Sequence, residues 1–149
     1  MPETDQRRTM NALPYTEDEL ETLRKGARGA ALLVALSDRG FFDTFKEAGA
    51  MAKHLAEAQQ KADSPLVREV AKGAGTGFGM RDAPATIEAE TTEAIREARR
   101  ILGEKDPAAL AEYRSFVLEL ARSVAAAAGG GDEAEAATIA KVEAAFDAS

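Results

Sequence analysis

Between Leu20 and Val34 apolar residues return every three or four positions, at Leu20, Leu23, Ala27, Ala30 and Val34, the spacing of one face of an α-helix. Leu32, Leu33 and Leu36 widen that face, which puts this helix near the centre of a core. It starts at Glu17, because Thr16-Glu17-Asp18-Glu19 is a Thr-x-x-Glu capping box whose hydroxyl and carboxylate each satisfy a backbone N–H left open at the helix start. It stops near Ser37-Asp38-Arg39-Gly40. A second helix, from about Phe42 or Asp43 to Ala62, carries Phe41, Phe45, Ala48, Ala52 and Leu55 along one stripe. Asp63-Ser64-Pro65 supplies a cap and a proline at the first helical position, so a short third helix runs from Pro65 to about Lys72.

After Pro84 the pattern resumes in a fourth helix with Ile87, Ala94, Ile95, Ala98, Ile101 and Leu102 on one side and charged residues on the other. Asp106-Pro107 restarts it as a fifth, striped by Leu110, Tyr113, Val117, Leu120 and Val124 and flanked by Phe116 and Leu118. Asp132-Glu133-Ala134-Glu135 caps a sixth that turns Ile139, Val142 and Phe146 inward. No segment sustains period-two alternation, so the expected fold is all-α: a single-domain helical bundle of about six helices. Residues 1–14, polar and ending in Pro14, are expected to fray as an N-terminal arm, leaving 15–149 as the domain. Alanine and glycine on the apolar faces predict closely approaching helix axes.

A chain of 149 residues fits one domain and is long enough to bury a core of its own. Nineteen Lys and Arg against 26 Asp and Glu leave a net charge of −7, which repels polyanions and argues against a nucleic-acid partner. Without cysteine there is no disulfide, thiolate nucleophile or Cys-ligated metal centre. The longest apolar run, Gly29 to Leu36, is too short for a membrane span, and residues 1–14 have no signal-peptide core, so a cytoplasmic location is expected.

Glycines at 73, 75, 77 and 79 invite comparison with phosphate-binding loops, but neither the dinucleotide fingerprint nor the P-loop pattern is met. Residues 73–83 read instead as a glycine-rich connector, within which Phe78 and Met80 are candidate anchors for a partner or a plug over a groove. His54, the only histidine, reads as a partly exposed helix residue; no Gly-x-Ser-x-Gly turn presents a serine to it. Arg96, Arg99 and Arg100 form a basic cluster that Glu93 and Glu97, three residues before Arg96 and Arg100, neutralise. Two acidic turns stand out. Asp38, Asp43 and Glu47 lie between the first and second helices, and Asp132 and Glu135 open the sixth. Caps and first-turn carboxylates account for them, and weak divalent-cation binding is the alternative.

Ala31 to Leu55 and Ala121 to Phe146 also look alike: each has a small-residue helix, a turn with glycine and an acid, and a second helix opened by aspartate. This pseudo-repeat resembles the TerB-like helical domains of tellurite-resistance type, whose turns read Ala-x-Ala-Asp-Gly and enter a helix with an early glutamate. Asp38, Gly40, Asp43 and Glu47 approximate that pattern. Gly131, Asp132 and Glu135 keep part of it, with glycine where the family's aspartate would stand. The resemblance covers about a third of the chain. It implies an all-helical domain tied to stress responses, associated with membrane complexes or metal ions, and it carries no catalytic residues.

No activated nucleophile, metal triad or cofactor loop is legible, so the expected function is that of a helical interaction module binding a protein partner or forming a homodimer, without a cofactor. The alternative is a ligand or divalent-cation binding protein using the acidic turns. In that case calcium or manganese raises the Tm of the parent protein, and Asp38→Asn combined with Glu47→Gln abolishes the rise. A double variant that responds like the parent excludes that turn.

Overall fold

The computed structural model describes residues 14–37, 44–72, 84–127 and 133–147, with the side chains at 37, 44–48, 50, 84, 127 and 133–135 outside the description. Among the described residues the chain forms six helices and no strand. These are α1 (Glu17–Ser37), α2 (Thr44–Lys61), α3 (Pro65–Ala71), α4 (Pro84–Lys105), α5 (Pro107–Ala127) and α6 (Glu133–Asp147). The all-α bundle expected from the apolar spacing is the observed fold.

Among the described residues the caps read from the sequence at Thr16, Ser64 and Asp106 are made, while Asp43 and Asp132 lie outside the description. Thr16 Oγ1 accepts from the Glu19 N–H at 3.1 Å, and Glu19 Oε1 accepts from the Thr16 N–H at 2.9 Å, the reciprocal bonds of a capping box. Ser64 Oγ accepts from the Val67 N–H at 3.3 Å, with Pro65 starting α3. Asp106 Oδ1 accepts from the N–H groups of Ala108 and Ala109 at 3.2 and 3.4 Å, which opens α5 one residue after α4 ends. A bridge locks this junction to the start of α1: Lys105 Nζ donates to Glu19 Oε1 and to the Pro14 carbonyl, both at 2.9 Å, and stands over the ring of buried Tyr15.

The first helix is the hub, touching all the others. Leu20, Leu23, Ala27, Ala30, Ala31 and Val34 are buried along it, and each fully buried leucine contributes roughly 1.5–3 kcal/mol relative to exposure. Gly26 sits where α1 meets α4 and α5. A Cβ there would lie 2.5 Å from the Tyr113 hydroxyl oxygen and 3.4 Å from Ile95 Cγ1. The missing side chain lets fully buried Tyr113 donate its hydroxyl to the Leu23 carbonyl at 2.6 Å. Burial drives the phenol's pKa up, outweighing the nearby Ala27 backbone N–H, so it remains a neutral donor. On its other side the ring meets Phe146 of α6 edge-on, with centroids 5.8 Å apart.

The short α3 could not hold a helix by itself. It is held by burial of Leu66, Val67, Val70 and Ala71, and by two arginines one turn apart on α1. Arg24 donates through Nε and Nη2 to the Glu69 carbonyl at 3.4 and 3.3 Å. Arg28, only 4% exposed, donates through Nη2 to the carbonyls of Ala71 and Lys72 at 3.1 and 2.7 Å. Cations at the carbonyl end of a helix oppose its negative pole. Burial, and after it the neighbouring Arg24, lower the pKa of Arg28, while Glu21 acts the other way; a guanidinium stays charged regardless.

The second helix differs in detail from expectation. It packs on α5 and α3 and only marginally on α1. Met51, Leu55, Ala58 and Ala62 face the core, whereas Ala52, placed on the inward stripe by sequence, is exposed. Phe41, Phe45 and Ala48 of that stripe fall outside the described side chains. The shift reflects a helix that leans on two neighbours at one edge, so its contact face is narrow and rotated.

Gly26→Ala should cost about 1–3 kcal/mol in urea unfolding through overpacking, and much less in a Tyr113→Phe background that removes the obstructing oxygen. Gly103→Ala, with nothing within 4 Å of the added methyl, should instead stabilise α4 by about 0.5–1 kcal/mol. Equal costs of Gly26→Ala in both backgrounds would contradict the overpacking. Glu19 has its pKa held below the ordinary 4.5, first by the Lys105 hydrogen bond and then by the Thr16 N–H. Its stabilisation is therefore complete above 4.5 and is lost as pH falls through the lowered folded value. Glu19→Gln should unfold at lower temperature than the parent at neutral pH, and the two Tm curves should converge on the acid side of 4.5.

Candidate functional site

Because α2 rests on α5 and α3 at the edge of the bundle, a groove of about 600 Å³ opens between them. Ala58 of α2, Ala62 just past its end, Val67 of α3 and Ala111 and Phe116 of α5 are its apolar lining, with Val67 and Phe116 buried at its base. Their spacing explains the shape: Ala62, whose N–H bonds to the Ala58 carbonyl, follows Ala58 by one turn at the end of α2, and 111 and 115 are one turn apart on α5, so small side chains line both sides of the cleft. His54 lies at one wall, half-buried, its ring stacked on Phe116 with centroids 6.0 Å apart and planes 28° from parallel. Phe116 is itself only 4% exposed.

The rim is acidic. Glu57 and Asp63 stand on the α2 side and Glu112 and Glu119 on the α5 side, with Lys61 as the accompanying cation. Among the described residues none of these four carboxylates forms an ion pair. Most other described carboxylates do. Glu69 meets Arg24 and Lys72, Glu90 meets Lys25, Glu88 meets Lys141, and Glu143 and Asp147 share Arg114. A second concavity of about 320 Å³ between α1 and α4, lined by Thr22, Lys25, Glu90, Glu93, Ala94 and Glu97, belongs to that paired surface. Lys25 bridges it to Glu90, and Arg100 holds Glu97.

The groove does not assemble acid–base machinery from its polar side chains. Among the described residues His54 makes no hydrogen bond to a serine or carboxylate, and Ser64 Oγ accepts the α3 capping bond. No described cluster of three or more His, Asp or Glu side chains is arranged to hold a metal ion. The acidic turns are not part of that statement: Asp38, Asp43 and Asp132 lie outside the described residues, and so do the side chains of Glu47 and Glu135 on α2 and α6. Phe78 and Met80 lie outside them as well. Of the basic cluster, Arg100 is paired with Glu97 and Glu104, whereas Arg96 and Arg99 make no ion pair among the described residues.

Sequence reading missed the groove and the Arg24–Arg28 clamp. The clamp's signal was present as two arginines one turn apart beside an apolar stripe. The groove's was fainter, an alanine–glutamate neighbour pair on each of two helices. No described helix is long and apolar enough to cross a membrane. No protein-family model, curated protein or solved structure matches the chain.

Proposed function

We propose that this protein is a helical interaction module whose docking surface is the groove between α2 and α5. The observation that carries the reading is the groove's construction, a cleft of about 600 Å³ between α2 and α5 whose lining combines Ala58, Ala62 and Ala111 with the buried Val67 and Phe116. Helix-in-groove recognition uses surfaces of this kind, with apolar anchors of the bound segment entering between the walls. The TerB-like resemblance adds a setting, a cytoplasmic role in a stress response, in which the module would act by assembling with another protein. This lining sits on rigid elements: Val67 and Phe116 belong to the core cluster, and Ala58 and Ala62 pack against it. A partner would therefore meet a preformed shape and lose little free energy in ordering it.

A displayed peptide library selected against the protein tests this. Selected peptides should perturb the backbone amide resonances of Ala58, Ala62, Ala111 and Ser115, and Ala111→Trp, which fills the groove from an exposed position, should weaken their binding by at least tenfold, roughly 1.4 kcal/mol. Selected peptides that perturb a different face, or that bind the Ala111→Trp variant as well as the parent, would overturn the reading.

A further inference from the structure

We infer that the occupant of this groove is a cationic amphipathic helix of a partner protein, an inference that rests on the groove being the docking surface. The charge pattern is the first reason. Carboxylates elsewhere on the described surface are largely matched by a lysine or arginine, but among the described residues Glu57, Asp63, Glu112 and Glu119 make no ion pair around one apolar cleft, whose lining cation is Lys61, so the rim keeps a net negative charge. Complementary potential across such a rim steers encounter and fixes register.

The spacing is the second. Glu112 and Glu119 are seven residues apart on α5, two helical turns or about 10 Å. Lysines or arginines at i and i+7 of a helix lying along α5 would meet both, while its apolar face sits on the alanines. On the opposite wall Glu57 and Asp63, the latter just past the end of α2, add negative charge on either side of Lys61.

Two other occupants fit less well. A quaternary ammonium ligand gains most from an aromatic cage, and here Phe116 is 4% exposed and stacked on His54, so such a cation would meet mainly solvated carboxylates of little individual worth. A second copy docking by its own groove would bring two net-negative rims together, which an isologous contact cannot avoid.

The test uses three synthetic peptides about 18 residues long. One has leucines at i, i+3, i+4 and i+7 and lysines on its flanks, one has glutamine for every lysine, and one scrambles the lysine peptide so that no amphipathic face remains. Binding is read by amide chemical-shift mapping and by fluorescence anisotropy at low and high salt. The inference expects the lysine peptide to shift Ala58, Ala62, Ala111 and Ser115, with binding weakened on the order of tenfold by the glutamine replacement, by Glu112→Lys with Glu119→Lys, and by salt. Both glutamates are exposed, so the double variant should melt like the parent. If the lysine and glutamine peptides bind the groove equally, the cationic class is wrong while the docking surface stands. If the scrambled peptide binds as well as the ordered one, or the shifts scatter over other acidic faces, the attraction is general and the inference fails. If none of the peptides shifts the groove and library-selected ones also avoid it, inference and docking surface fall together.

Discussion

The close approach at Gly26 is the constraint on which the rest of the structure depends. With no Cβ at that position the Tyr113 hydroxyl reaches the Leu23 carbonyl, and Ile95 of α4 comes up beside it. Three helices thus meet at one residue, and Phe146 brings the fourth against the other edge of the tyrosine ring. A buried phenol needs a partner, since stranding its hydroxyl would cost about 1–3 kcal/mol. The polar bond therefore specifies how α1 and α5 meet, and the apolar residues around it supply most of the stability.

From that centre the outer elements follow. Four helices close on one another around Tyr113, so α3 must be attached from outside, and Arg24 and Arg28 attach it by its carbonyl end. The same helix α1 therefore serves two purposes with residues one turn apart: a stripe that is buried among apolar side chains and two guanidiniums directed at backbone oxygens. With α3 fixed, α2 has α5 and α3 to lean on, and the imperfect closure of that trio is the groove.

Charge is distributed along the same division. Where helices of the main bundle run side by side, acids and bases pair across or along them, as in Lys25 with Glu90, Lys141 with Glu88 and Lys105 with Glu19. Exposed pairs of this sort contribute only a few tenths to about 1 kcal/mol each. At the groove no ion pair forms among the described residues, and acids sit beside small apolar residues. A surface that combines net negative charge with an apolar lining has more to gain from a partner than one already neutralised, which is why the interaction reading centres there and not on the cleft between α1 and α4.

Much of this was legible along the chain. The capping box at Thr16, the cap and proline at Ser64 and Pro65, and the restart at Asp106 and Pro107 are local signals, because a helix start is decided by groups within one turn of one another. The inward faces of α1, α4 and α5 were likewise readable, since period and burial coincide for helices surrounded by neighbours. For α2 they do not coincide: a helix with neighbours along one edge has several faces its pattern would permit, and Ala52 turned outward. The Tyr113–Leu23 bond joins residues ninety positions apart, and the groove sets Ala58 opposite Ala111. Sequence by itself determined which segments are helical and which residues most of them bury, because hydrogen bonds and caps within a helix are short-range. Tertiary structure alone decided that a glycine admits a tyrosine, that two arginines end a distant helix, and that four carboxylates gather around one cleft, because each depends on where separate helices cross.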